Sequence, residues 1–188
     1  MQMKRQVLFV QGGGERVHDD WDRKLVESLG AALGPNYEIR YPRMPKEDDP
    51  SYVTWKATLA KEFAALNDGA ILVGHSLGGT ILIHTLAENL PEREFRAIIL
   101  IAAPFVGDGG WRSDDWKPQR ELSRKLPVGV PIYLYHGLAD DTAPPSHVEL
   151  YAHAIPHAHV CRMPGRDHQF NNDLTDIAAV IKSLPPEA

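Results

Sequence analysis

Ile71-Leu72-Val73-Gly74-His75-Ser76-Leu77-Gly78-Gly79 is the stretch that decides how this chain folds. An apolar run enters Gly-x-Ser-x-Gly, and an amphipathic run leaves it. Strand, sharp turn, helix is the context of a nucleophile elbow. Such a turn holds Ser76 in a strained backbone conformation with its hydroxyl exposed. Side chains at positions 74 and 78 would crowd the approach of strand to helix, so glycines stand there. A serine at a helix start is otherwise an N-cap residue. The choice between the two depends on what the rest of the chain supplies.

On both sides of the elbow, short apolar runs alternate with longer amphipathic ones. Candidate strands are Val7–Val10, Tyr37–Tyr41, Ala70–Val73, Ala97–Ala102, Ile132–His136 and His159–Met163. Runs this apolar suit strands covered on both faces. One helix is expected over Asp20–Leu33, with Trp21, Leu25, Leu29 and Leu33 on one face and Gly34-Pro35 as its stop. A second starts at Asp49-Pro50 and carries a stripe of Tyr52, Trp55, Leu59, Phe63 and Leu66. A third runs from Ser76 to about Asn89. Ser146 and Glu149 have capping-box spacing for another. A last helix is expected over Asn172–Ser183. Strict alternation predicts an α/β fold, with a mostly parallel sheet of about six strands and helices on both faces.

The whole chain, residues 1–188, is expected to form one domain. A domain of this size buries roughly 70% of its unfolded surface and needs no staples. The longest interval between strands, Pro104–Pro131, is too short for a large cap domain. It is expected to hold a Gly-rich loop over Val106–Gly110 and a helix over Asp115–Lys125. Net charge is −5 without a block of like charges, which argues against nucleic acid as a partner. Glu47-Asp48-Asp49 and Asp114-Asp115 read as solvated loops or helix starts. Cys161 is the single cysteine, so no intrachain disulfide forms, and it reads as an inert strand residue. Met1–Arg5 leads at once into a short apolar run, too short for a signal peptide, and no run reaches membrane-spanning length. The expected location is the cytoplasm.

A serine hydroxyl needs a base, and the base needs a carboxylate to fix its tautomer. Sites in open α/β sheets form after the carboxyl ends of strands. Ser76 follows the third predicted strand. His136-Gly137-Leu138-Ala139-Asp140-Asp141-Thr142-Ala143-Pro144 follows the fifth, and Pro164-Gly165-Arg166-Asp167-His168-Gln169-Phe170 follows the sixth. The order Ser, Asp, His is that of an α/β-hydrolase triad.

Over nearly its full length the chain resembles the α/β-hydrolase-fold serine hydrolases. The elbow, the acid turn Gly137-x-x-Asp140-x-x-Ala143-Pro144 and the turn Asp167-His168-x-Phe170 carry the resemblance. Gly12-Gly13-Gly14 with Trp21, Met44-Pro45, and Phe170-Asn171 are similar to the small, lid-poor retinoblastoma-binding-protein-like (YdeN-like) group. The resemblance implies Ser76 as nucleophile, His168 as base and Asp140 as its orienting acid, with Asp141 the neighbouring alternative. It implies an oxyanion hole made by the backbone N–H groups of Leu77 and Gly13. Many relatives have His-Gly where this chain has Gln11-Gly12, which leaves the acyl pocket beside Gln11 open. Trp111 and Trp116, in the overhanging segment, are candidates for the pocket wall.

The implied function is cleavage of a small carboxylic ester through an acyl-enzyme, with thioesters or amides following the same course. No metal or organic cofactor is expected, and neither a membrane nor a protein partner is indicated. His153, His157 and His159 are close in sequence, but no carboxylate or cysteine spacing completes a metal site. His75 reads as structural and His84 as packed or surface. Two other functions fit the same residues: an acyltransferase or thioesterase using the triad, and a binding protein that keeps only the fold.

Overall fold

The structure, a computed structural model, describes residues 4–185; residues 1–3 of the charged N-terminal segment lie outside it. The six apolar runs become strands Arg5–Val10 (β1), Tyr37–Arg40 (β2), Ala70–His75 (β3), Phe95–Ile101 (β4), Ile132–Gly137 (β5) and His159–Met163 (β6). They form one sheet in the order β2-β1-β3-β4-β5-β6, with every neighbouring pair parallel. The helices are Asp22–Leu33 (α1), Tyr52–Ala65 (α2), Ser76–Glu88 (α3), Leu122–Lys125 (α4), Ser146–Ala154 (α5) and Thr175–Ser183 (α6).

Period-two alternation along each strand sends side chains to opposite faces, and both faces are covered. Leu8, Val10, Leu72, Ile98, Leu100 and Leu134 join a core with Trp55, Leu59 and Phe63 of α2, Ile81 to Leu86 of α3, and Val148 and Tyr151 of α5. Val7, Phe9, Ile71, Val73, Ile99 and Ile101 join the other core with Leu25 and Leu29 of α1 and Ile177 and Ile181 of α6. The α/β reading with helices on both faces therefore describes the molecule.

Several elements differ from their sequence-based bounds. The expected first helix is split. Val17–Trp21 forms a π-helical turn, and the α-helix starts only at Asp22. The wider turn breaks the four-residue spacing, so Trp21 leaves the apolar stripe and is 53% exposed, while Leu25, Leu29 and Leu33 stay buried. The helix expected over Asp115–Lys125 shrinks to α4. Pro118 lies within that span, Glu121 takes a left-handed conformation at φ 56°, and Asp115 is drawn elsewhere. Its carboxylate accepts from the Tyr52 N–H at 2.6 Å and so caps α2. The last helix starts at Thr175, because Phe170–Asn172 form a tight turn with positive φ at all three residues. The capping box at α5 does not form. Glu149 instead makes a bidentate pair with Arg162 at 2.6 and 2.7 Å.

The topology fixes where a site can open. β2 lies on one side of β1 and β3 on the other, so the chain changes direction between β1 and β3. Val10 and Gly74 are register partners there, which puts the loop after β1 beside the elbow after β3.

Candidate active site

Ser76 takes φ 51°, a left-handed conformation that costs a non-glycine residue free energy. The packing around it enforces that turn. A Cβ on Gly78 would sit 2.0 Å from the Gln11 carbonyl oxygen, and one on Gly74 would sit 2.5 Å from the Gly79 Cα. Helix α3 is thus pressed against β1 and β3, and Ser76 stands at its first residue, partly exposed.

The loops after β5 and β6 bring two further groups to Ser76. The Ser76 hydroxyl donates to His168 Nε2 at 2.9 Å. His168 Nδ1–H donates to Asp140 Oδ2 at 2.8 Å. The other Asp140 oxygen accepts from the N–H groups of Thr142 and Ala143 at 2.9 and 2.8 Å. His136 Nε2 donates to the Ala143 carbonyl at 2.9 Å and lies 3.3 Å from Asp140 Oδ2. Burial would raise the Asp140 pKa, but the bonds from His136 and His168, the charge of His168 and the Thr142 amide outweigh it. The carboxyl is held well below the ordinary carboxylate range. An ionised Asp140 accepts only, which fixes the proton of neutral His168 on Nδ1 and leaves Nε2 to accept from serine. Asp141 is exposed and makes no bond to His168.

The loop after β1 closes the other side. A Cβ on Gly12 would lie 3.1 Å from Ser76 Cβ, so this backbone touches the serine directly. The Gly12 N–H donates to Asp22 Oδ2 at 2.7 Å and the Gly14 N–H to the Glu47 carbonyl at 2.5 Å. Gly13 lies between them, and its N–H has no partner among the described residues. Leu77 N–H, in the first turn of α3, has no intrahelical acceptor. The positive end of α3 lies at the same residue, since Ser76 is the first of that helix.

Gln11 does not face this opening. Its side chain is fully buried, donates to Glu47 Oε2 at 2.6 Å and accepts from Met44 N–H at 3.0 Å. It braces the loop after β1 against residues 44–47 and offers no surface to a substrate. Trp111, 39% exposed, stands edge-on to His147 at 5.7 Å in the loop after β4. Trp116 is partly buried and packs against the core, stacked on Tyr52 at 4.3 Å and edge-on to His84 at 4.7 Å. A cavity of about 630 Å³ lies away from the triad, lined by Val53, Ala57, Ala60 and Phe63 of α2 and by Thr85 of α3. Among the described residues no three His, Cys, Asp or Glu gather to hold a metal. His157 lies 3.3 Å from Ser123 Oγ and His159 stacks on Tyr133. Burial pushes the Cys161 thiol up.

Two residues of the site escaped sequence reading. Glu47, taken for part of a solvated acidic run, holds Gln11 and also accepts from the His18 N–H at 2.9 Å. Asp22, on the apolar stripe of α1, is fully buried and accepts from Gly12, His75 and Gln169. Neither lies in a motif. The one signal, for Asp22 alone, was a carboxylate in phase with the apolar stripe of Leu25, Leu29 and Leu33.

A search of curated protein sequences finds no match. Among solved structures, the esterase RhEst1 from Rhodococcus sp. ECU1013 superposes with TM-score 0.74 at 17% identity, covering 97% of this chain and 92% of that one. The ydeN gene product of B. subtilis gives 0.72 at 18% identity, covering 96% and 98%. An α/β serine hydrolase without a lid from Xanthomonas campestris gives 0.62 at 18% identity, covering 100% and 86%. At these identities the likeness is one of fold, the α/β-hydrolase fold. No helix of the described residues is long and apolar enough to cross a membrane. Residues 7–165, most of the chain, match the serine hydrolase family, and this span includes the turn at Ser76, the loop after β1 and the turn that holds Asp140. The chain belongs to the serine hydrolase family.

Proposed function

We propose that this protein is a serine esterase that cleaves small carboxylic esters through an acyl-enzyme on Ser76. The observation that carries the reading is the unbroken hydrogen-bond chain from Ser76 through His168 to Asp140, at 2.9 and 2.8 Å. Both links are within the reach a general base needs.

In this reading Ser76 Oγ attacks the ester carbonyl carbon as His168 Nε2 takes its proton. Asp140 stays ionised and stabilises the imidazolium. The carbonyl oxygen becomes an oxyanion held by the N–H groups of Leu77 and Gly13. Each such donor contributes about two to three decades in rate. Collapse of the intermediate expels the alcohol, which receives the proton from His168. A water then attacks the acyl group with His168 as base, and Ser76 is regenerated. Every step uses protein groups and water, so the chemistry requires no metal or organic cofactor. The candidate substrate is a small acyl ester, because the interval between β4 and β5 holds only short α4 and irregular chain above the sheet edge. Trp111 is the candidate wall residue. Esterase names among the structural neighbours agree with this chemistry.

An organophosphonate probe tests it. Stoichiometric modification of wild type at Ser76, abolished by Ser76→Ala and greatly slowed by His168→Ala, is the expected result. A folded wild type that resists the probe, and turns over no ester across a panel of acyl-chain lengths, overturns it.

A further inference from the structure

Behind the triad lies a second histidine–carboxylate pair. His75 and Asp22 are both buried, at 2% and 0% exposure. His75 Nδ1 lies 2.9 and 3.0 Å from the two oxygens of Asp22. Its Nε2 lies 2.9 Å from the backbone carbonyl oxygen of His168. A carbonyl oxygen only accepts, so Nε2 carries a proton. On the other side, the Asp22 oxygens already accept from Gly12 N–H at 2.7 Å and Gln169 Nε2 at 2.9 Å, two bonds that favour the ionised carboxylate. A carboxylate also only accepts, so Nδ1 carries a proton as well.

We infer that His75 is an imidazolium locked between Asp22 and the His168 carbonyl, and that this neutral pair positions both catalytic loops against Ser76. It rests on the esterase reading above for what it positions. Asp22 engages the Gly12 amide, which leaves the neighbouring Gly13 amide free for an oxyanion. His75 holds the backbone of His168, and Gln169 ties the same loop back to Asp22. Three connections, from the loop after β1, the elbow and the loop after β6, thus meet on the one carboxylate that α1 supplies. The charged groups facing His75 are Asp22 from α1 and Asp140 from the loop after β5, and the neutral ring of His168 stands 5.2 Å away. Burial would lower the His75 pKa, but the Asp22 charge and bond raise it above its ordinary value, and Asp22 is held below the usual carboxylate range. Asp22 and His75 act through other groups and are positioning residues.

Nitrogen NMR of His75 in the wild-type protein reads the first half directly. Both ring nitrogens are expected to carry protons at neutral pH, where an ordinary histidine is mostly neutral. One unprotonated ring nitrogen at neutral pH overturns the inference. Kinetics on a short chromogenic ester read the second half. Asp22→Ala is expected to lower kcat about 10- to 100-fold with KM within about threefold. Asp22→Asn is expected to recover kcat to within about tenfold of wild type, since its oxygen still accepts from Gly12 and its N–H can serve His75 Nδ1. His75 then loses its second proton. Folded Asp22→Ala with wild-type kcat overturns the positioning role. If that variant does not fold, Asp22→Asn decides, and a loss beyond about tenfold overturns it. The ring protons are read without substrate, so resistance of wild type to the phosphonate probe sinks the esterase reading alone.

Discussion

Ser76 Oγ and His168 Nε2 stand 2.9 Å apart although 92 positions separate them in the chain. The parallel sheet makes this meeting possible. All strands run the same way, so every loop after a strand opens at one edge, and residues distant in sequence share it. Ser76 leaves β3, Asp140 leaves β5 and His168 leaves β6 at that edge.

In the proposed triad, the acid is the member with a near neighbour of its own kind. Asp140 bonds His168, and Asp141 is exposed. Asp140→Asn presents an N–H donor toward Nδ1–H and forces the wrong imidazole tautomer, so kcat is expected to fall by about four decades. Asp141→Asn is expected to change it by less than about threefold. Steady-state kinetics of the two variants check this, and the reverse ranking would reassign the acid.

Gln11 lies next to the proposed oxyanion loop, yet its side chain points into protein. Gln11→Leu strands the buried Met44 N–H and removes the donor to Glu47. A loss of about 2 to 3 kcal/mol in unfolding free energy is expected, with acyl-chain preference unchanged. Urea denaturation and an ester panel measure the two separately. Unchanged stability with altered chain preference would return Gln11 to the pocket wall.

What the sequence made legible was whatever is local or periodic. Strand runs such as Ile71-Leu72-Val73 announce themselves because both faces of a parallel strand are buried. The elbow and the two later turns have fixed spacings because their backbones are tightly constrained. Asp22 and Glu47 were not legible, because their partners arrive from loops far along the chain and no short spacing encodes them. Trp21 misled for a related reason: one π-helical turn changes the phase of a stripe without changing its letters. The Asp115 segment misled because its carboxylate serves the N-terminus of α2 rather than its own helix.

The two tryptophans after β4 separate by the same logic of burial. Trp116 packs on Tyr52 and His84 against the core. Trp116→Ala is expected to cost about 2 kcal/mol or more of stability. Trp111 is 39% exposed, and Trp111→Ala is expected to cost under about 1 kcal/mol. As a wall that binds substrate and transition state alike, Trp111 should act on KM, which rises several-fold on truncation while kcat holds. An unchanged KM for every ester tested would remove Trp111 from the pocket.

His84 sets an acid limit on stability that is separate from catalysis. Its ring is buried in α3, Nδ1 accepts from the Gln119 N–H at 3.1 Å, and Trp116 stands against its edge. Burial pushes its pKa down to about 4 from the ordinary 6.5, with Glu88 opposing weakly. Between those values the unfolded chain binds more protons than the folded one, so stability rises with pH. His84 therefore costs nothing well above 6.5 and its penalty grows as pH falls through 6.5 toward 4, to about 3 kcal/mol. Asp22 and Asp140, whose folded pKa values are depressed, lose their contributions only below the ordinary 3.8, in a lower window. His147 is also lowered by burial and destabilises in the same direction on acidification, so the difference between wild type and a variant is the quantity to read. His84→Gln keeps an acceptor for Gln119 and removes the titration. Urea midpoints taken near neutral pH and near pH 4.5 should show the variant losing about 2 kcal/mol less than wild type on acidification. Equal losses would mean that the His84 ring accepts its proton in the folded state without cost.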